Sequence, residues 1–136
     1  MLGGLLGVDP VPYLSKSEGN AKLLIRLVLD QENFLYIKAG EELIFITDDG
    51  QKITLRAISD GAKDVKNEPG RGVYTLEYAN YPVTLEQFKT IASSKQVDFA
   101  AYTSKGRVER KLKNMQLKIY NEFLTKVVAV HGEGVQ

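Results

Sequence analysis

The chain has 136 residues, 43% hydrophobic and 26% charged, with a net charge of +1, one histidine and no cysteine. That length buries about two-thirds of the unfolded surface in one domain, and the near-neutral balance argues against a partner held by charge alone. The absence of cysteine excludes disulfides, thiolate nucleophiles and cysteine-bound metals, and the single His131 argues against triads and His-rich metal sites.

Met1 to Val8 is apolar but lacks a basic flank and is too short for a signal peptide. It reads as a segment packing on the sheet, or as what remains after an export signal or a lipid-anchored cysteine is removed. No run reaches the roughly 18 apolar residues that cross a membrane. Asp9-Pro10-Val11-Pro12 forbids a helix, so residues 1–20 read as an irregular arm ending in a polar linker, Ser15 to Asn20.

Ala21 to Asp30 reads as a strand, with Leu23, Ile25, Leu27 and Leu29 on one face. Leu24 and Val28 make the other face partly apolar, which points to a central strand or one covered on both sides. That second face has room for a homodimer contact or for a packed helix. Phe34 to Ile37 is a short further run, closed by a turn at Gly40.

Glu42 to Ile58 reads as a hairpin around Asp48-Asp49-Gly50-Gln51. Glycine takes positive φ there without steric cost. Ile53, Leu55 and Ala57 alternate with Lys52, Thr54 and Arg56, the period of a half-buried strand. Ser59 to Gly72 is the longest polar stretch and reads as a long hairpin loop, a place where function concentrates. Val73 to Tyr78 is a strand whose Tyr74, Leu76 and Tyr78 share a face.

Thr84-Leu85-Glu86-Gln87 is a capping box, with Val83 and Phe88 placed as a hydrophobic staple. Leu85, Phe88, Ile91 and Ala92 form the buried stripe of the short helix that follows. A second hairpin runs from Gln96 to Lys113 around Ser104-Lys105-Gly106, with Val97, Phe99, Ala101, Val108 and Leu112 inward. From Asn114, a plausible N-cap, the period becomes helical. Met115, Ile119, Phe123 and Val127 recur every four residues, flanked by Tyr120, Leu124 and Val128. The order predicts an α+β domain: an antiparallel sheet of about six strands, including two hairpins, with a short capped helix and a C-terminal amphipathic helix. Its expected bounds are 21–130, followed by a tail over 131–136 that carries a solvated His131.

Chemistry-bearing motifs are few. Neither GxGxxG nor GxxxxGK[ST] occurs, and Gly70-Arg71-Gly72 is a loop with a cation. Asp48 and Asp49 lack calcium-loop spacing and suit turn chemistry. Glu41, Glu42, Glu68 and Glu77 are the carboxylates a hydrolase would need in pairs, and Glu77 stands out mid-strand among tyrosines, although a solvent-facing role suits it better. No catalytic residue, metal ligand or cofactor is expected.

Charge asymmetry is the stronger lead. Residues 86–136 carry nine Lys/Arg against five Asp/Glu, and residues 1–85 carry nine against twelve. Lys105, Arg107, Arg110, Lys111, Lys113 and Lys118 cluster near Tyr102 and Tyr120, and Arg71 lies in the polar stretch. The plain reading is a solvated strand face, and such a surface also suits a protein or anionic-lipid contact. Nucleic acid is the alternative, through phosphate contacts and base stacking.

Phe45 to Leu55, Tyr81-Pro82-Val83-Thr84, Ala92 to Val97, Ser104-Lys105-Gly106 and a last helix reaching Phe123-Leu124 occur in that order. Over roughly residues 34–128 this arrangement resembles small uncharacterised bacterial α+β domains of exported or lipid-anchored proteins. The resemblance rests on structural motifs and transfers no catalytic residue. It implies a location in the cell envelope and, with the missing catalytic inventory, a non-catalytic binding domain. Such a domain would bind another protein through the 59–72 stretch or the basic hairpin, and the Leu24 and Val28 face would admit a homo-oligomer. Alternatives from other classes are a nucleic-acid-binding module and a small carboxylate-dependent hydrolase.

Overall fold

A computed structural model describes residues 5–17, 20–31 and 33–131. Among them the chain forms β1 (Leu5–Ser17), β2 (Asn20–Gln31), β3 (Glu42–Thr47), β4 (Lys52–Arg56), β5 (Ala62–Glu68), β6 (Gly72–Pro82), α1 (Leu85–Ala92), β7 (Val97–Thr103), β8 (Gly106–Lys111) and α2 (Asn114–His131). The strands make two antiparallel four-stranded sheets, ordered β1-β2-β6-β5 and β4-β3-β7-β8. Each sheet is therefore two hairpins joined side by side, at β2–β6 in the first and β3–β7 in the second.

Period-two alternation decides which side chains meet between the sheets. Leu23, Ile25, Leu27 and Leu29 of β2 are buried with Ala79 and Tyr81 of β6. From the second sheet come Leu43, Phe45, Ile53, Leu55, Val97, Phe99, Ala101 and Val108, all in the same core cluster. Each fully buried large apolar side chain contributes about 1.5–3 kcal/mol. The helices complete this core: Phe88 stacks on Tyr120 with ring centroids 5.2 Å apart and meets Phe123 edge-on. Asn121 donates to the Ala92 carbonyl, tying α2 to the end of α1.

The expected sheet of about six strands becomes eight strands in two sheets, and both added strands lie at edges. The N-terminal stretch is not an irregular arm. It is β1, paired with β2 from Leu5↔Gln31 to Ser17↔Asn20, and Ser15–Ser17 and Asn20 of the supposed linker are strand residues. Prolines fit here because β1 is an edge strand. An extended residue's N–H and C=O point to the same side, and the Pro10 carbonyl turns outward to accept from the Tyr120 hydroxyl at 2.6 Å. Pro10 and Pro12, two residues apart, thus leave their missing N–H groups on the free edge.

The stretch Ser59–Gly72 is likewise not a long loop. It contains β5, paired with β6 from Ala62↔Tyr78 to Glu68↔Gly72. Glu68-Pro69-Gly70-Arg71 closes the hairpin, with Gly70 at φ 83° and the Arg71 N–H donated to the Glu68 carbonyl. Proline then glycine is the preference of a type II turn. Almost every β5 residue is exposed, so no apolar alternation marks it. Lysines on such a strand discourage pairing with other chains.

Phe34–Ile37 is not a strand; it is the crossover between the sheets. The N–H groups of Leu35, Tyr36 and Ile37 converge on the Glu77 carboxylate at 3.0, 3.1 and 2.6 Å. Tyr36 adopts φ 61°, a left-handed conformation that side chains rarely take, which helps successive N–H groups point one way. The carbonyls of this segment are also used: Ile37 accepts from the Gly61 N–H, and Tyr36 from the Ser104 N–H and hydroxyl. A Cβ on Gly61 would stand 3.1 Å from a Glu77 oxygen, so the small residue admits the carboxylate.

The helix assignments need smaller corrections. The capping box at Thr84 and Gln87 is present, and Leu85, Phe88, Ile91 and Ala92 are buried as expected. In α2 the packed stripe is Leu117, Tyr120 and Val127 with Phe123 and Leu124, whereas Met115, Ile119 and Val128 face solvent. The helix begins at Asn114 itself, and the preceding Lys113 N–H is received by the Gln116 side chain. His131 is the last residue of α2; the rest of the expected tail, 132–136, and the start, 1–4, lie outside the described residues.

Two stability outcomes follow from these contacts. Glu77→Ala leaves three amides without their acceptor and should destabilise by about 3–5 kcal/mol, lowering the urea midpoint far more than Glu68→Ala at the exposed hairpin end. Thr84→Ala removes one half of the capping box and should cost about 1 kcal/mol in the same titration, with an unchanged m-value.

Candidate binding surfaces

Three residues of β8 point out from the second sheet: Arg107, Glu109 and Lys111. Their cross-strand partners on β7 are Tyr102, Ala100 and Asp98, and β3 adds Ile44 opposite Ala100 and Ile46 opposite Asp98. A groove of about 350 Å³ runs over this face, lined by Ile44, Ile46, Asp98, Phe99, Ala100, Glu109 and Arg110. Its floor is apolar and Ile46 is 45% exposed. Charges of both signs frame it.

The electrostatics of this face are paired. Arg107 sits 2.7 Å from Glu109 and makes a long 3.5 Å contact to the Tyr102 hydroxyl. The Tyr102 contact and then Glu109 hold the guanidinium above its ordinary pKa, firmly charged. Lys111 lies opposite Asp98 in the strand register. The surface is amphoteric rather than a basic stripe.

The basic residues singled out by sequence are brought together only in part. Arg107 and Lys111 share the outer face. Arg110, next to Lys111 and three residues from Arg107, alternates to the other side of the pleat opposite Phe99, yet it lines the groove and donates to the Glu109 carbonyl. Lys113 leads into α2. Lys105, in the β7–β8 turn, lies 5.4 Å from the centre of the Tyr36 ring, where Lys63 of β5 also approaches at 5.6 Å. Arg71 belongs to the other sheet altogether: it lies 3.3 Å over the Tyr74 ring and is ion-paired with Asp30. That pairing with Asp30 raises its pKa.

The carboxylates are also accounted for. Glu77 is not solvent-facing; it is buried and its oxygens are taken by backbone amides. Glu42 pairs with Arg56, and Glu68 accepts from the Tyr74 hydroxyl, which raises the tyrosine pKa. Glu41 accepts from the Lys38 N–H. Asp49 takes the Thr47 hydroxyl and the Gln51 amide within the turn, and these bonds hold its carboxyl below the usual range. Among the described residues no group of three or more His, Asp or Glu side chains is placed to hold a metal ion.

Sequence reasoning missed the apolar floor, because Ile44 and Ile46 sit in the nearly unbroken apolar run Leu43-Ile44-Phe45-Ile46. Such a run does not say which face is inside. The only signal was the alternation in β4, which fixes the inner face of its partner strand. On the first sheet, Leu24 and Val28 do face outward, flanked in register by Tyr13 and Pro82 and by Asp9 and Tyr78.

No protein-family model matches this chain, and no curated protein sequence does. Among solved structures the chain has a likeness to one described as a human pre-T cell receptor crystal structure. It is 10% identical, covering 79% of this chain and 91% of the other, with a TM-score of 0.30, and so carries no argument about fold family or function.

Proposed function

We propose that this chain is a non-catalytic binding domain of a bacterial envelope, and that it takes up a protein segment on the outer face of the second sheet. The observation that carries the reading is the groove over β3, β7 and β8, where exposed Ile46 stands beside half-buried Ala100 and buried Ile44 with Asp98, Arg107, Glu109 and Lys111 around them. An exposed apolar patch rimmed by charges is the usual mark of a protein contact. Paired charges at the rim select a partner more than they add affinity. β8 also has a free edge, so an extended partner segment can add main-chain hydrogen bonds there. The envelope setting rests on the resemblance of the sequence motifs. No helix of the described residues is long and apolar enough to cross a membrane.

Two alternatives fit this surface less well. A nucleic-acid module needs cations free to meet successive phosphates, whereas Arg107 is paired with Glu109 and Lys111 lies opposite Asp98. A carboxylate hydrolase would use Asp98 and Glu109, which both line the groove. Both are exposed, and a general acid of that type needs a dry surround to stay protonated.

Affinity capture from an extract of the source cells tests the reading, with native protein and an Ile46→Asp, Lys111→Glu double variant as baits. Both positions are exposed, so the variant should fold as the native chain does. A protein retained by the native bait and lost by the variant is the expected outcome. Equal recovery on both baits removes this face as the binding surface. Retention of nucleic acid with affinity falling steeply in salt would install the module reading instead. Turnover abolished by Asp98→Asn would install the hydrolase.

A further inference from the structure

A second concavity, of about 250 Å³, opens on the outer face of the first sheet, lined by Arg26, Ser59, Asp60, Ala62, Tyr78 and Asn80. Its geometry comes from three elements. Arg26 of β2 faces Asn80 of β6 in register, Tyr78 stands one outward position away on β6, and the turn before β5 supplies Ser59 and Asp60. The Ile58 N–H bonds the Asn80 carbonyl, which fixes that turn against the sheet.

Arg26 is set in place twice. Its Nε donates to Asn80 Oδ1 at 2.9 Å, and its guanidinium lies 4.2 Å over the Tyr13 ring. A guanidinium has five donors. Among the described residues its two Nη nitrogens meet no acceptor, and the Asn80 amide nitrogen and the Tyr78 hydroxyl likewise have no partner. Asp60 spends Oδ1 on the Ala39 N–H at 2.9 Å, and among the described residues Oδ2 has no donor. The pocket thus presents one fixed cation, one carboxylate oxygen, an amide, hydroxyls and an aromatic ring.

That set selects by charge. A net anion drawn to Arg26 meets Asp60, and a net cation drawn to Asp60 meets Arg26. A neutral group that donates at one atom and accepts at the same or the next satisfies both, and the hydroxyl is the group that does so. Adjacent hydroxyls on a saturated ring also offer apolar C–H surface to tyrosine. The volume lies below the roughly 300–1,000 Å³ of drug-sized sites, which fits one ring rather than several. We infer that this pocket binds a single neutral sugar unit, such as the terminal residue of a saccharide. Its hydroxyls donate to Asp60 Oδ2 and accept from Arg26 and Asn80, with the ring against Tyr78. This site is on the other sheet from the proposed protein contact and does not rest on it.

Chemical-shift titration of the full chain tests it. The probes are the methyl glycosides of glucose, galactose, mannose and N-acetylglucosamine, with sodium acetate as the anionic control. At least one glycoside should move the Ser59, Asp60 and Asn80 amides saturably in the millimolar range. Asp60→Asn keeps an oxygen for the Ala39 N–H but reverses the polarity of the second position, and should weaken binding by about tenfold or more. Ser59→Ala, at an exposed residue, should weaken it less, and Lys111→Glu on the other sheet should leave it unchanged. Absence of saturable shifts with every glycoside overturns the inference. So do shifts that persist unchanged in both Asp60→Asn and Arg26→Gln, or acetate binding as tightly as the best glycoside.

Discussion

One buried carboxylate holds the crossover between the sheets. Glu77 points into the interior from β6 and receives the N–H groups of Leu35, Tyr36 and Ile37. The alternative arrangements are all costly. Without Glu77 those amides would be buried without partners, and without the amides a carboxylate would be stranded away from water. The segment is held from its other side by Gly61 and Ser104, which belong to the turns of different sheets. One short stretch of irregular chain therefore fixes the first sheet, the β4–β5 turn and the β7–β8 turn relative to one another. Both outer-face sites depend on that registration, because the 58–62 turn completes the pocket on the first sheet and β7–β8 makes the rim of the groove on the second.

The interior is otherwise a matter of pattern, and pattern was legible. The alternation of Leu23 to Leu29, of Ile53 to Ala57 and of Val97 to Ala101 named the inner faces correctly, and the Thr84–Gln87 box marked the start of α1. What escaped had physical reasons. β1 carries two prolines that forbid a helix but are harmless on an outward-facing edge. β5 buries nothing, so no periodicity could reveal it. Glu77 occupies an inward position among Thr75, Ala79 and Tyr81, while the tyrosines Tyr74 and Tyr78 that draw the eye lie on the outer face. A single chain cannot show that a glutamate will be satisfied by amides some forty positions away. In α2 the four-residue repeat starting at Met115 was real but turned slightly out of the packed stripe; the stacking of Phe88 on Tyr120 decides which side faces in.

The sites were less legible than the fold. The cations of the second hairpin were visible as composition, but strand register splits them between two faces and supplies acidic neighbours. Arg71 and Lys105 turn out to rest on tyrosine rings. Such contacts hold the cations against the rings, and the Arg71 charge is further taken by Asp30. What remains is exposed Ile46 among paired charges on the second sheet and the polar groups around Arg26 and Asn80 on the first. The two outer faces therefore offer different chemistry.

The pairing order has a further implication for how the chain is partitioned. β1–β2 and β3–β4 come before the turn at residues 58–61, and β5–β6 and β7–β8 come after it. Each half of the sequence gives one hairpin to each sheet, and the halves meet along β2–β6 and β3–β7. Neither sheet is a contiguous piece of sequence, so no truncation isolates one sheet from the strands of the other. A chain emerging from the ribosome has no complete layer until the second half arrives, and Glu77 is part of that late half. The interlocked halves tie the two outer faces together, because each face is built from strands of both halves.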